Sequence, residues 1–303
     1  MKVWISHKAG LELIGDVPSE VTVEVFEPGG EYPSDPATVE FWVPTYLGKS
    51  SATRPLAEMT GLKVVQLLTA GAEVWIPVIP EGVVLCDAKG AHTGSTSEWA
   101  LTAMLASLRK FPAHIRAQAQ SRWAHEPGRT LAGKTVLIVG AGDIGTSIAR
   151  KVEAFDAEPV LVARRERPGV HPVSALPELL PTADVVVLIT PLTEETTGLV
   201  DARFLSQMRD GALLVNAARG PVVDTEALIA EVGTGRLHAA LDVTDPEPLP
   251  EDSPLWAMPN VLVTPHVGGA VEGLLRSMYR VAGDQLRRYV AGEPLHNIVS
   301  DGY

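Results

Sequence analysis

A glycine-rich turn in the middle of the chain constrains its fold more than any other feature. The apolar segment Thr135–Val139 leads directly into Gly140-Ala141-Gly142-Asp143-Ile144-Gly145, and an amphipathic segment follows to residue 155. This order predicts a β-strand, a tight turn and an α-helix, an arrangement that binds the pyrophosphate of a dinucleotide. Gly140 permits the turn, Gly142 lets the backbone approach the phosphates, and Gly145 lets the helix pack against the strand. The helix N-terminus offers N–H groups and a partial positive charge to the phosphates.

Short apolar segments alternate with polar connecting segments on both sides of this turn. The run 185–189 is entirely apolar, which indicates a strand in a parallel sheet buried on both faces. A long helix is expected over 98–119, where Pro112 would kink or divide it, and a last helix over 271–291. The sequence therefore predicts a doubly wound α/β protein, with a dinucleotide-binding domain inserted into, or following, a smaller domain. The expected strands are 2–6, 21–26, 40–43, 63–67, 83–86, 135–139, 159–162, 185–189, 212–216, 238–242 and 261–264.

Composition limits the partners and the compartment. At 303 residues the chain is long enough for two domains, and its net charge of -12 argues against nucleic acid or an anionic membrane as a partner. The single cysteine, Cys86, excludes a disulfide framework. No apolar run approaches the roughly 18 residues of a membrane span, and the N-terminus lacks a signal peptide. The eight histidines are dispersed, so no metal site is predicted. We expect a soluble, cytoplasmic protein.

Four motifs follow expected strands beyond the glycine turn, where ligands bind in an open α/β sheet. They are Thr190-Pro191, Asn216-Ala217-Ala218-Arg219-Gly220, the stretch 242–249 (Asp-Val-Thr-Asp-Pro-Glu-Pro-Leu) and the stretch 264–269 (Thr-Pro-His-Val-Gly-Gly). In order and spacing they resemble the D-isomer-specific 2-hydroxyacid dehydrogenase family. The resemblance implies a Rossmann cofactor domain over 99–271 and a smaller, flavodoxin-like substrate domain formed by 1–98 together with 272–303. It also implies a homodimer.

The family resemblance assigns catalytic roles to three residues. Arg219 offers a planar fork of donors that can bind the carboxylate and keto oxygen of a 2-oxo acid. His266 is suited to give a proton to the carbonyl oxygen as hydride reaches the carbon. Glu247 stands where the family carboxylate pairs with this histidine and stabilises its protonated form.

Further roles come from the same resemblance. The backbone N–H groups of Ala70 and Gly71 are expected to receive the substrate carboxylate, and Asp242 to hydrogen-bond the nicotinamide carboxamide. Thr96 either touches the cofactor or caps the long helix. Trp75 and His92 are weaker candidates for the substrate pocket. The remaining residues expected to contact the cofactor are Gly140, Gly142, Asp143, Ile144, Gly145, Thr190, Pro191, Ala217, Ala218, Arg219, His266, Gly268 and Gly269.

Arginines near the end of the second strand of the cofactor domain indicate which nicotinamide cofactor binds. A site selective for NAD would place an acidic residue about 20 residues beyond the third glycine, to bind the ribose 2′-hydroxyl. Arg164 stands there instead, with Arg165 next to it. Arginines attract a 2′-phosphate through charge-assisted hydrogen bonds, so NADP(H) is predicted over NAD(H). The alternative is a solvated run of charges.

Together these features predict an oxidoreductase that transfers a hydride from NADPH to a small 2-oxo acid, such as glyoxylate or hydroxypyruvate, to give the D-2-hydroxy acid. The family member that oxidises formate carries glutamine in place of Glu247, which argues against formate. Two alternatives remain open. One is a nucleotide-sensing, corepressor-like binding protein of the same fold, and the other is a dehydrogenase of the family with a different substrate.

Overall fold

The computed structural model describes residues 1–46 and 50–299, which form two units. The first unit combines Met1–His92 with the chain from Glu272 onward, and the second is Thr93–Val271. The boundary expected from the sequence, after residue 98, lies six residues beyond the observed one. It falls inside a helix that belongs entirely to the second unit.

The first unit is a five-stranded parallel sheet with the strand order of flavodoxin, β2-β1-β3-β4-β5. Successive residues of the central strand point to opposite faces, as in any β-strand. Val3 and Ile5 join one buried cluster with Tyr279 of the last helix, and Trp4 joins another with Trp42. The strands are β1 (Lys2–Ile5), β2 (Thr22–Val25), β3 (Val39–Val43), β4 (Val64–Gln66) and β5 (Val84–Cys86), and the α-helices are α1 (Gly10–Leu13) and α8 (Leu274–Ala291).

The second unit is a seven-stranded parallel sheet in the order β12-β11-β10-β9-β6-β7-β8. The first strand of this sheet along the chain is β6, which lies inside the sheet. The next two strands extend the sheet outward to β8, and β9 then pairs with the other side of β6. The strands are β6 (Thr135–Val139), β7 (Glu158–Ala163), β8 (Val170–Pro172), β9 (Val185–Leu188), β10 (Leu213–Asn216), β11 (His238–Leu241) and β12 (Val261–Val263). The α-helices are α2 (Thr93–Leu108), α3 (Phe111–Ala119), α4 (Asp143–Glu153), α5 (Leu176–Leu179), α6 (Ala202–Gln207) and α7 (Thr225–Gly233).

Burial on both faces explains the apolar strands of this sheet. All four residues of β9 have no exposed surface. Val185 and Val187 pack into one hydrophobic cluster, and Val186 and Leu188 pack into the other. The doubly wound arrangement expected from the sequence is confirmed, and the order reverses between β6 and β9, where such sheets bind ligands.

The long helix expected over 98–119 differs from the prediction in where it begins but not in its division. It begins earlier, at Thr93, and it is divided near Pro112 as the sequence indicated. Lys110 adopts a left-handed conformation, with φ of 57°, between α2 and α3. Ser50–Ala57 of the first unit form a 3₁₀ helix that contains Pro55. No helix in the described ranges is long and apolar enough to cross a membrane.

Asp87, directly after β5, carries a carboxyl group whose ionised form is destabilised by burial in the first unit. Burial raises the pKa of its carboxyl to about 6, although Oδ1 accepts a hydrogen bond of 2.8 Å from the Lys89 N–H. The folded chain therefore binds this proton more tightly than the unfolded chain does. The resulting stability is complete below pH about 4 and is lost as the pH rises through the folded-state value.

We expect Asp87→Asn to raise the free energy of unfolding at pH 8 by about 1 to 3 kcal/mol, because asparagine keeps an acceptor for Lys89 and cannot ionise. Urea denaturation followed by circular dichroism at pH 4 and pH 8 measures this difference, which should vanish at pH 4. Asp16→Asn, at an exposed position of the same unit, is the control. An equal gain at both pH values would contradict the explanation.

Candidate functional site

A histidine and a glutamate from two neighbouring loops of the second unit form a close pair. His266 follows β12, and Glu247 lies in the loop after β11, between two cis X–Pro bonds. Nδ1 of His266 lies 2.7 Å from Oε1 of Glu247, with the two side chains 48% and 44% exposed. A carboxylate only accepts hydrogen bonds, so Nδ1 is the donor. Nε2 is therefore the ring nitrogen left to gain and lose a proton.

Arg219 lies in a turn after β10 that the side chain of Asn216 holds from within. The Asn216 Oδ1 accepts from the Ala218 N–H at 3.0 Å, and its Nδ2 donates to the Arg219 carbonyl at 3.1 Å. Asn216 is buried, and Arg219 is partly exposed. Its Nη1 donates to the Ala218 carbonyl at 2.8 Å. The backbone of the turn is thus fixed, and Arg219 remains partly exposed.

Gly220 brings the arginine turn against the loop that carries Glu247. A Cβ at this position would lie 1.9 Å from the carbonyl oxygen of Thr244, so only glycine permits the approach. The Thr225 hydroxyl donates to the Asp245 carbonyl at 2.7 Å and holds the same loop. The backbones that carry Arg219 and Glu247 are therefore in direct contact.

The glycine turn has the geometry that its sequence predicts. Gly140 has φ of 121°, and a Cβ there would meet the Ile189 carbonyl oxygen at 2.5 Å. A Cβ at Gly145 would lie 1.9 Å from the Gly140 carbonyl oxygen. Gly142, in contrast, has no atom of residues 1–46 or 50–299 within 4 Å of its Cβ position beyond its chain neighbours, and it precedes α4 without a side-chain cap from these residues. Open space thus lies in front of the N-terminus of α4, as phosphate binding requires.

Thr190 supplies a second observation in favour of a ligand at this place. It follows β9, beside the contact between Gly140 and Ile189, and its hydroxyl oxygen is buried without a hydrogen-bond partner in the part of the chain that the structure describes. A buried hydroxyl without a partner costs free energy, which a hydrogen-bonding ligand would restore. The residues around the turn therefore fit a dinucleotide.

The arginines after β7 lie at the same edge of the sheet. Arg164 and Arg165 are exposed, and Nη1 of Arg164 is 4.0 Å from Oε2 of Glu195. Arg167, to which the sequence assigned no role, donates from Nη2 to the Ala141 carbonyl at 2.6 Å. This bond ties the segment after β7 to the middle of the glycine turn.

Several other expected cofactor residues have clear positions within the second unit. Thr96 is buried in the first turn of α2, three residues after the helix begins, and so does not cap it. The Asp143 carboxylate accepts a hydrogen bond from the Thr93 hydroxyl. Asp242 is 5% exposed and binds the backbone beyond His266. The others lie at strand ends or at the start of α4, namely Ile144, Pro191, Ala217, Ala218, Gly268 and Gly269.

The segment expected to bind the substrate carboxylate lies in the first unit, just after β4. Ala70 and Gly71 are partly exposed, and the Thr69 hydroxyl donates to the Gly71 carbonyl at 2.9 Å. Trp75 is 8% exposed and makes an edge contact with Trp42 at 5.5 Å, so it packs in the core of that unit. The weaker candidate His92 has Nε2 at 3.1 Å from the Leu68 carbonyl.

Residues 101–268, more than half of the chain, match the model of the D-isomer specific 2-hydroxyacid dehydrogenase NAD binding domain. The chain belongs to this family. Membership of the family explains both the order of the four motifs and the presence of two parallel sheets.

Named relatives of this dehydrogenase family member span several activities. A glyoxylate/hydroxypyruvate reductase B of Escherichia fergusonii is 43% identical over 174 residues, which are 55% of this chain and 54% of that protein. A D-3-phosphoglycerate dehydrogenase of Archaeoglobus fulgidus is 34% identical over 228 residues, 72% of this chain but 43% of that protein. The matched region thus spans about half the length of these two relatives.

Solved structures of the family resemble the chain over its whole length. A D-isomer specific 2-hydroxyacid dehydrogenase from Xanthobacter autotrophicus in complex with NADPH and MES has a TM-score of 0.85, with 32% identity and full coverage of both chains. An NADPH-dependent glyoxylate/hydroxypyruvate reductase from Sinorhizobium meliloti, in complex with NADP and sulfate, has a TM-score of 0.84 with 26% identity, covering 99% of this chain and 98% of that one.

Proposed function

We propose that the protein is an NADPH-dependent reductase that converts a small 2-oxo acid, such as glyoxylate or hydroxypyruvate, into the D-2-hydroxy acid. The observation that carries the proposal is the pair of His266 and Glu247 at 2.7 Å, in which Glu247 belongs to the loop whose backbone contacts the turn of Arg219. An imidazole that can donate a proton and a guanidinium on an adjoining turn suit a carbonyl compound that also bears a carboxylate. Two relatives bear the name of glyoxylate/hydroxypyruvate reductase, which supports this substrate class.

The chemistry divides between the cofactor and these side chains. Reduced nicotinamide, when bound, supplies a hydride to the carbonyl carbon. His266 donates the proton on Nε2 to the carbonyl oxygen, so that the C=O bond becomes CH–OH. Glu247 holds Nδ1 and stabilises the positive charge of the ring before the transfer. Arg219 binds the carboxylate. For the first unit, the role in carboxylate binding that the sequence gives to the N–H groups of Ala70 and Gly71 is kept as a proposal.

A turnover assay tests the proposal. Purified protein with NADPH is given glyoxylate, hydroxypyruvate, pyruvate and phenylpyruvate, and absorbance at the nicotinamide band is followed. We expect reduction of the smaller acids and a D-hydroxy product by chiral chromatography. Tight nucleotide binding without turnover on any 2-oxo acid would favour the nucleotide-sensing alternative. Turnover confined to a larger acid would favour a dehydrogenase with another substrate.

The preference for NADPH is proposed from Arg164 and Arg165, and the NADPH and NADP complexes of the two similar structures support it. We expect Arg164→Asp to lower kcat/KM for NADPH by about 10- to 100-fold, because a charge-assisted hydrogen bond is lost and a repulsion is added. The value for NADH should change little. Arg203→Asp, at an exposed position of α6, is the control, and equal losses with both cofactors would refute the assignment.

Two further assignments are proposed with the function. The first unit would serve as the substrate domain and the second as the cofactor domain of a cytoplasmic enzyme. The homodimer is supported by apolar side chains on and beyond α3, where Phe111, Ile115 and Trp123 are 54%, 62% and 96% exposed. Covering these side chains would remove apolar surface from water. Light scattering of the purified protein distinguishes a dimer from a monomer.

A further inference from the structure

A chain of side-chain hydrogen bonds connects helix α2 to the turn that carries His266. Nε1 of Trp99, in α2, donates to the Thr264 hydroxyl at 3.1 Å. That hydroxyl donates in turn to Oδ1 of Asp242 at 2.7 Å. All three residues belong to the second unit. The Thr264 hydroxyl therefore accepts one hydrogen bond and donates another, so it links helix α2 to the carboxylate of Asp242.

Asp242 accepts hydrogen bonds from the backbone of His266 and of the two residues that follow it. Its carbonyl oxygen accepts from the His266 N–H at 2.7 Å. Its carboxylate accepts from the N–H groups of Val267 at 2.8 Å and Gly268 at 2.7 Å. A Cβ at Gly268 would lie 2.7 Å from Oδ2 of Asp242 and 3.4 Å from Cγ of Trp99, so this turn packs directly on both side chains.

The backbone of His266 needs such support. Its φ is 53°, in the left-handed region that residues other than glycine adopt at a cost in conformational energy. Such a conformation persists only where the surrounding structure over-determines it. The three N–H bonds to Asp242 supply that constraint. The bonds from Val267 and Gly268 depend on the orientation of the carboxylate, which the Thr264 hydroxyl fixes through Oδ1.

We propose that Thr264 and Trp99 are positioning residues for His266. They act through Asp242, whose carboxylate they hold in the orientation that keeps His266 left-handed, with Nδ1 on Glu247 and Nε2 available for proton transfer. The kinetic consequence rests on the function proposed above, whereas the placement of the imidazole does not. Without the threonine hydroxyl, Oδ1 keeps the Val267 N–H alone among these donors, and the indole N–H loses its acceptor.

The first experiment removes the hydroxyl and then restores it. Thr264→Val keeps the branched shape, and we expect it to lower kcat by about 10- to 100-fold, since a shift of about 1 Å in a reacting group has effects of this size. The Kd for NADPH should stay within about twofold of the original protein. Thr264→Ser should return kcat to within about threefold, because it restores the donor to Asp242. Thr182→Val removes an exposed hydroxyl that donates to the Leu179 carbonyl, and it should have no effect.

The second experiment tests whether tryptophan and threonine act along one path. Trp99→Phe keeps an aromatic ring and removes the N–H, and we expect a smaller loss of kcat, about 3- to 10-fold. In the double variant with Thr264→Val the losses should not multiply, because the indole N–H has already lost its acceptor. Fully multiplicative losses would exclude the path from Trp99, and full activity of Thr264→Val would overturn the proposal for both residues.

A spectroscopic measurement separates this proposal from the proposed reaction. In protein labelled with ¹⁵N-histidine, the ring resonances of His266 are assigned by comparison with His266→Asn. We expect them to shift or broaden in Thr264→Val, to return in Thr264→Ser and to stay unchanged in Thr182→Val. A perturbed imidazole in a protein that reduces no 2-oxo acid would refute the reaction and support the positioning role. An unperturbed imidazole in Thr264→Val would refute the positioning role, as would a loss of kcat that Thr264→Ser does not rescue.

Discussion

His266→Asn is expected to lower kcat for reduction of the 2-oxo acid by about 10²- to 10⁴-fold, the usual contribution of a positioned general acid. Asparagine has no ring nitrogen that can donate a proton to the substrate, and Glu247 loses the Nδ1–H that it binds. Asparagine is chosen because it tolerates the left-handed backbone, with φ of 53°, that this position requires. The turn held by Asp242 should therefore survive, and the Kd for NADPH should stay near that of the original protein. Stopped-flow measurement of a single turnover isolates the chemical step.

The matched control is His171→Asn, at an exposed histidine of β8 in the same unit. It should leave kcat unchanged. If His266→Asn retained more than about a tenth of the original kcat, another group would be the proton donor, because loss of a general acid costs more than that. A parallel loss of NADPH affinity would instead indicate damage to the turn.

The parts of the fold that the sequence predicted are those that local patterns determine. The strand β6, its glycine turn and the first turn of α4 are contiguous, and their apolar period and glycines suffice to recognise them. Strand β8 has three residues at the edge of the sheet, too few for a period to appear. The start of α2 was missed because Thr93, Gly94 and Ser95 favour helix weakly. The Thr93 hydroxyl instead bonds the carboxylate of Asp143, fifty positions along the chain.

The candidate site shows the same limit. Arg219, Glu247 and His266 were proposed as site residues because their motifs keep a recognisable order along the chain. Asn216, Thr264 and Trp99 were given no roles, although the structure places each in the support of a predicted residue. Trp99 and Thr264 are 165 positions apart, and a hydrogen bond over that separation leaves no periodic trace in the sequence. Supporting contacts of this kind depend on tertiary packing, which the motifs alone do not specify.

Arg219→Ala is expected to lower kcat/KM for the 2-oxo acid by about 10²- to 10⁴-fold. A bidentate guanidinium makes two charge-assisted hydrogen bonds to a carboxylate and its neighbouring oxygen, each worth about 1.5 to 3 kcal/mol. Arg219→Lys should fall between the alanine variant and the original protein, because lysine keeps the charge and loses the planar fork. Steady-state kinetics with the acid varied at saturating NADPH measure both variants. The KM should rise in each, since the interaction binds substrate as well as transition state.

Further measurements on these variants distinguish a role of Arg219 in substrate binding from a role in supporting the turn. Arg219 also donates to the Ala218 carbonyl at 2.8 Å, so a loss of activity by itself would not prove contact with substrate. If that internal bond were the reason, the affinity for NADPH and the thermal stability would fall with activity, and the KM for the acid would not respond. If the guanidinium binds the carboxylate, a 2-oxo amide that lacks the charge should be a poor substrate for the original protein and lose little further activity in Arg219→Ala. Arg203→Lys, at an exposed arginine of α6, should change none of these quantities.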